Sequence, residues 1–217
     1  MTHALELVVT APIVSFRNPL YSGLQVGLPC PPPSTVGGLL AAAAGGWDRM
    51  PKHTRFAMTF RAAGTGTDLE TYHPLGSPGT STNTTIKDRD FLALITLTLW
   101  LVEDIDLWER ALRRPVWPLR LGRSQDLVNA RAHHVQLSSQ PGTQGHAVVP
   151  DDLPGATGTR MRLTTAVASD RSRTRWSGYR YSARGADTRV DTGLSTTAGQ
   201  TVALLPPVHP SQLTAAS

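Results

Sequence analysis

FLALITLTLWLV, residues 91 to 102, is the most strand-like run in the chain, and its only polar members are two threonines. Leu, Ile, Thr, Phe and Trp in such density suit a pleated surface that packs on at least one side. At twelve residues the run is too short for the roughly 18 to 20 apolar residues of a membrane span. A strand of this kind needs partners, and the order of elements around it narrows what the partners can be.

LELVVTAP, residues 5 to 12, reads as a strand ended by proline. Residues 13 to 33 are a loop rich in Pro and Gly, after which Ser34 is placed to cap a helix with its hydroxyl. Val36, Leu39, Leu40 and Ala43 recur at helical spacing, and Gly45 and Gly46 supply the stop. RFAMTFR, residues 55 to 61, alternates as a strand, and residues 64 to 86 have the composition of a long hairpin or excursion. Beyond residue 102, Asp104 is placed to cap a helix carrying Ile105, Trp108, Ala111 and Leu112, which Pro115 closes. WPLRLG and ARAHHVQL then read as further short strands. The order strand, helix, strand, strand, helix, strand is that of the ferredoxin-like split unit shared by RNA-recognition domains. The expected fold class is therefore α+β: a ferredoxin-like domain over residues 1–138 with a hairpin insertion at about 64–90. Residues 138 to 159 are a turn-rich break, and residues 139–217 are expected to be an arginine-rich extension, irregular and mostly β.

The charge supports a polyanionic partner by its placement. The chain holds 21 basic and 16 acidic residues, and all but two of the basic ones are arginine. Between residues 160 and 189 stand eight arginines and two acids, 8 − 2 = +6, while the rest sums to 13 − 14 = −1. A GC-rich genome explains arginine in place of lysine but not this clustering. Clustered arginine, which forks phosphate and stacks on bases, is the footprint of nucleic-acid binding. Cys30 is the only cysteine, so neither an intrachain disulfide framework nor a multi-cysteine zinc site can form. The opening MTHALELVVTAPIV shows no charged n-region followed by a cleavable apolar stretch, and the cytoplasm is the expected compartment.

Catalytic patterns are sparse. Lys52 and Lys87 are the only lysines and neither follows glycine, so no P-loop is present. No HExxH occurs. His133 and His134, adjacent on a strand, point to opposite faces and do not share a metal; one is expected inside and one outside. Asp88 and Asp90, in IKDRDF, read as part of a solvated turn. Tyr21, Lys52 and His53 are the one set able to cleave RNA without metal by acid–base chemistry, although MPKHTRF also serves as a plain polar connection. No cofactor is expected.

Two stretches together resemble a known family. SFRNPLYSGLQVGLPCPPPSTVGGLLAAAAG, residues 15 to 45, followed by RPVWPLRLGRSQDLV, residues 114 to 128, is similar to the fifth family of CRISPR-associated proteins, most like its type I-B branch. That resemblance implies a non-catalytic subunit of a type I interference (Cascade) complex in the RAMP superfamily. It would grip the 5′ handle of the guide RNA (crRNA), cap the backbone filament, and contact the large subunit, meeting target DNA only indirectly. Residues 64 to 90 would be its thumb. The alternative is a metal-independent endoribonuclease acting on repeat RNA, with Tyr21, Lys52 and His53. The expected RNA-binding residues are Arg17, Ser34, Thr35, Lys87, Arg89, Gly122, Arg123, Ser124, Arg171, Arg173 and Arg175, with no catalytic and no metal-binding residue. A helix N-terminus with free N–H groups suits phosphate, and the prolines before it limit what must be ordered on binding. Gly37 and Gly38 cost roughly 1 kcal/mol each in helix propensity, which a close backbone approach would offset.

Overall fold

A computed structural model describes residues 1–21, 26–72 and 84–213. Four long strands are β1 (Thr2–Val14), β2 (Ala57–Tyr72), β3 (Thr85–Leu101) and β4 (Asn129–Ser138). Helix α1 (Pro33–Ala44) lies between β1 and β2, and α2 (Ile105–Arg113) between β3 and β4. The strands pair antiparallel in the order β4–β1–β3–β2, the ferredoxin-like arrangement. Residues 92–100 of the 91–102 run form the inner part of β3, between β1 and β2, and this is why the run is apolar.

Leu5, Leu7, Val9 and Ala11 of β1, and Ile95, Leu97, Leu99 and Leu101 of β3, face the helices and are buried. The alternation then slips by one residue on both strands at once. Val14 follows Ala11 into the core, and Leu92 follows Ile95, a spacing of three on each strand. Leu94, the residue at the slip, has φ 49° and is exposed. A left-handed leucine is strained, and here it sits where the sheet reorients. Beyond it the β2–β3 hairpin runs on through Gly66↔Phe91 to Tyr72↔Thr85, out past the last β1 pair at Val14↔Leu92. Asp88 and Asp90 therefore lie in β3 and not in a turn: pairing with β2 overrides their polar composition. The tip of the expected thumb, 73–83, lies outside the described residues.

Other local expectations are also corrected. Ser34 does not cap α1. The cap residue is Pro32, Pro33 occupies the first turn, and no side chain caps the helix. Proline needs no N–H partner at that position, which frees the Ser34 hydroxyl for Thr164. Asp104 does take the N-cap position of α2, in a left-handed conformation (φ 52°) with its carbonyl accepting from Leu107 N and Trp108 N, but its carboxylate bonds His53 in place of the helix N–H groups. WPLRLG is not a strand; it forms one isolated bridge, Arg120↔Leu127. There Val116 N and Trp117 N donate to the Ala43 and Ala42 carbonyls, completing the last turn of α1. His133 and His134 do point to opposite faces, toward Glu6 and toward Glu109 and His3, yet both are exposed.

The C-terminal part is built from β5 (Gly142–Thr143), β6 (Val149–Pro150), β7 (Thr159–Val167), β8 (Thr174–Tyr181), β9 (Arg189–Val190) and β10 (Ser195–Thr196). Here β6, β8 and β7 form one small sheet and β5 and β9 another, while β10 joins the outer edge of β4. Val148, Leu163, Tyr179, Tyr181, Leu205 and Val208 enter the same apolar cluster as β1 and α1. A Cβ on Gly37 would stand 2.6 Å from Val208 Cγ2 and 3.2 Å from Trp47, so this glycine lets the C-terminal segment lie on α1. Gly38 faces open space. No described helix is long and apolar enough to cross a membrane.

Candidate nucleic-acid interface

Three segments meet where the thumb leaves the sheet: the loop after β1, the proximal thumb strands, and the loop between α2 and β4. Asp126, buried in that last loop, holds two of them together. Its carboxylate accepts from Ser15 N (3.1 Å) and Arg123 N (2.9 Å), while its own backbone closes on Leu121 and Arg123. Gly122, at φ 107°, permits the approach: a Cβ there would lie 2.6 Å from the Ser15 carbonyl oxygen. The Gly122, Arg123 and Ser124 motif is therefore a rigid loop pinned against the end of β1.

Asp90 holds the second junction. It accepts from Gly27 N (3.3 Å) and Thr67 Oγ1 (3.0 Å), and its backbone carbonyl accepts from Ser15 Oγ (2.5 Å). Opposite, a Cβ on Gly66 would stand 2.5 Å from the Phe91 ring, so that ring lies directly on the neighbouring strand. Two ion pairs close the third junction. Arg89 forks Asp68 across the thumb, and Arg123 reaches Glu70 of β2. The guanidinium of Arg89 holds the Asp68 carboxyl below the usual carboxylate range.

The expected RNA-binding residues fall into distinct groups in this geometry. Arg17 is exposed on the loop beside the thumb, in the bridge Arg17↔Gly27. Lys87, Arg89, Gly122, Arg123 and Ser124 are gathered at the thumb base, with Arg89 and Arg123 largely covered. Ser34, at the start of α1, is bonded to Thr164 of β7 at 2.5 Å, with Thr35 half-buried beside it. Arg171 and Arg173 are exposed at the β7–β8 turn, where Asp170 accepts from Ser172. Arg175 turns inward instead, donating to the Pro207 carbonyl, with its Nε buried and unpartnered. Of the eight arginines between 160 and 189, Arg160, Arg175, Arg180 and Arg189 donate to their own chain, which leaves Arg162, Arg171, Arg173 and Arg184 as exposed arginines with no side-chain acceptor among the described residues.

The carboxylates that order the site, Asp68, Glu70, Asp90 and Asp126, were not legible as functional. The one signal was that each basic motif carries an acid within two or three residues: KDRD at 87–90 and GRSQD at 122–126. Tyr21, Lys52 and His53 are not brought together. Tyr21 hangs from the loop at the Val14 end of the sheet, and His53 bonds Asp104 (2.8 Å) past the other end of β3. Nine residues of strand between Leu92 and Leu101 set the two ends roughly 30 Å apart. Among the described residues no three His, Cys, Asp or Glu side chains group as a metal site.

A four-stranded ferredoxin-like sheet with two helices on one face, a prolonged β2–β3 hairpin and a β-rich C-terminal part defines a RAMP-type domain. The family model described as CRISPR-associated protein (Cas_Cas5) matches residues 4–197, and the chain belongs to that family. A chain from a "CRISPR RNA-guided surveillance complex" shares the fold at TM-score 0.55 and 18% identity, over 96% of this chain and 96% of that one. A CRISPR protein from Archaeoglobus fulgidus does so at TM-score 0.52 and 13% identity, over 94% of this chain and 99% of that one. Comparison with curated proteins gives no match.

Proposed function

We propose that this chain is a non-catalytic, guide-RNA-binding subunit of a Cascade-type CRISPR interference complex. It grips the 5′ handle at the junction of thumb, β1 loop and Gly122 loop, and the thumb bends the guide where the handle ends. The observation that carries this reading is the triple junction itself. Asp126 and Asp90 lock two loops and the proximal thumb strands into one preformed edge, so little order has to be imposed when a strand of RNA is laid along it. Arg17 on the loop after β1, and Arg171 and Arg173 at the β7–β8 turn, supply exposed guanidinium groups for phosphates. As a subunit it would cap the backbone filament and contact the large subunit, meeting target DNA through that neighbour, in the cytoplasm.

The test is discrimination at constant salt. RNA that copurifies with the tagged chain from its host should share one short 5′ end. The same handle should then bind the pure chain more tightly than a scrambled RNA of equal length. Equal affinity for both would reduce the chain to a generic basic binder. Cleavage of repeat RNA in EDTA that disappears in His53→Ala would overturn the non-catalytic assignment.

A further inference from the structure

A second basic surface lies away from that junction, where residues 115–118 cross the end of α1. Val116 N and Trp117 N bond the last-turn carbonyls of α1 at 3.2 Å each, which holds both side chains outward, 61% and 52% exposed. They form a short apolar ridge. Grooves of about 450 Å³ and 540 Å³ flank it, the first lined by Arg49, Arg110 and Arg114, the second by Arg113. All four arginines are exposed, and among the described residues none has an ion pair or a side-chain hydrogen bond. Four arginines elsewhere are neutralised by carboxylates, Arg55 with Glu103, Arg89 with Asp68, Arg123 with Glu70 and Arg160 with Asp151, whereas the four here stand together with none. Cations in the last turn of α2 complement its dipole, but that accounts for neither Arg49, beyond the end of the other helix, nor a half-exposed tryptophan.

The grooves carry no polar side chain other than guanidinium: the remaining lining is Ala, Leu, Val, Pro and Trp. A protein partner presents a mixed rim of donors and acceptors, and no side chain lining these grooves accepts from its donors. A polyphosphate presents acceptors only. Arginine forks beside an exposed indole are the combination that holds single-stranded nucleic acid, phosphates on the forks and a base stacked on the ring. We infer that this α1–α2 surface is a second nucleic-acid site, taking a single strand other than the guide handle. It sits at the end of α1 opposite Ser34 and Thr35, roughly 18 Å along the twelve-residue helix, so it is independent of the handle reading.

The test uses the purified chain with its copurified guide RNA in place, titrated with fluorescent oligothymidylate and oligouridylate of equal length. The double variant R110E/R114E is expected to weaken binding at least tenfold and to reduce the slope of log K against log salt by about 1.4, two phosphates at about 0.7 each. W117L, which keeps the apolar cover and removes the stacking face, should weaken it about tenfold. Both variants should keep the guide and the wild-type circular dichroism. The two probes distinguish a DNA from an RNA occupant, and tight binding of either supports the site. Unchanged affinity and slope in both variants would overturn it, as would one-for-one displacement of the probe by added guide RNA. Loss of copurifying subunits with probe binding intact would reassign the surface to a protein.

Discussion

Arg123, in the loop before β4, is ion-paired with Glu70 on the thumb strand β2, and the same loop is fixed to the end of β1 through Asp126. The motif arginine therefore acts first as a latch between loop and thumb. Both side chains are largely covered, so the pair is screened less than a surface bridge. Arg123→Ala is expected to lower handle affinity about tenfold by freeing the thumb base. Glu70→Gln should reproduce part of that loss although it removes no positive charge. Arg110→Ala should leave handle affinity within twofold of wild type. Fluorescence titration of handle RNA against all three variants checks the order.

Gly37 and Gly38 should separate in a stability measurement. The Cβ of Gly37→Ala would meet Val208 and Trp47, and the expected cost is about 1–3 kcal/mol from overpacking. Val208→Ala should relieve it. Gly38→Ala enters open space in a helix interior and should stabilise by about 0.4–1 kcal/mol. Urea midpoints of Gly37→Ala, Gly37→Ala with Val208→Ala, and Gly38→Ala decide both.

Acid should loosen the thumb base through Asp68. Its carboxyl is held below the ordinary value by the bidentate bond from Arg89. A folded-state value below the unfolded one means the stabilisation is complete above the unfolded value, near pH 4, and is lost as pH falls through the folded one. Asp170, depressed by bonds from Ser172, acts in the same direction and over the same range. Asp68→Asn is expected to flatten the acid limb below about pH 4 without changing the profile near neutrality. Thermal melts of wild type and variant across that range measure it.

Cys30, near the end of the loop that joins β1 to α1, is fully buried with Met161 Sδ at 3.8 Å, and burial pushes its thiol far up. The thiolate is the reactive form, so the folded chain should not react with Ellman's reagent at pH 8 on the timescale of mixing. One thiol per chain should appear in denaturant. Fast reaction in the folded state would show that the loop after β1 opens.

Much of the fold was legible in the sequence because it rests on local periodicity. The β3 run, the Val36, Leu39, Leu40, Ala43 stripe, the Gly45 stop and the Trp108 and Leu112 face each declare their element within one or two turns of chain. The order of those elements then leaves the ferredoxin-like sheet as the arrangement that pairs them. Ser34 failed as a cap, and Asp104 takes the N-cap position of α2 without a side-chain cap bond, because a hydroxyl or carboxylate beside a helix start is equally able to bond something distant, here Thr164 and His53, and only tertiary contact selects the partner. IKDRDF failed as a turn because cross-strand pairing outweighs composition.

The sequence by itself determined the elements, their order and the motif positions, since those depend on backbone propensity and spacing. Only the tertiary structure decided which arginines are covered, because that depends on carboxylates brought from elsewhere in the chain: Glu70 to Arg123 and Asp68 to Arg89. A charge in sequence is a residue type. Whether it can meet a phosphate is settled by the nearest carboxylate in space.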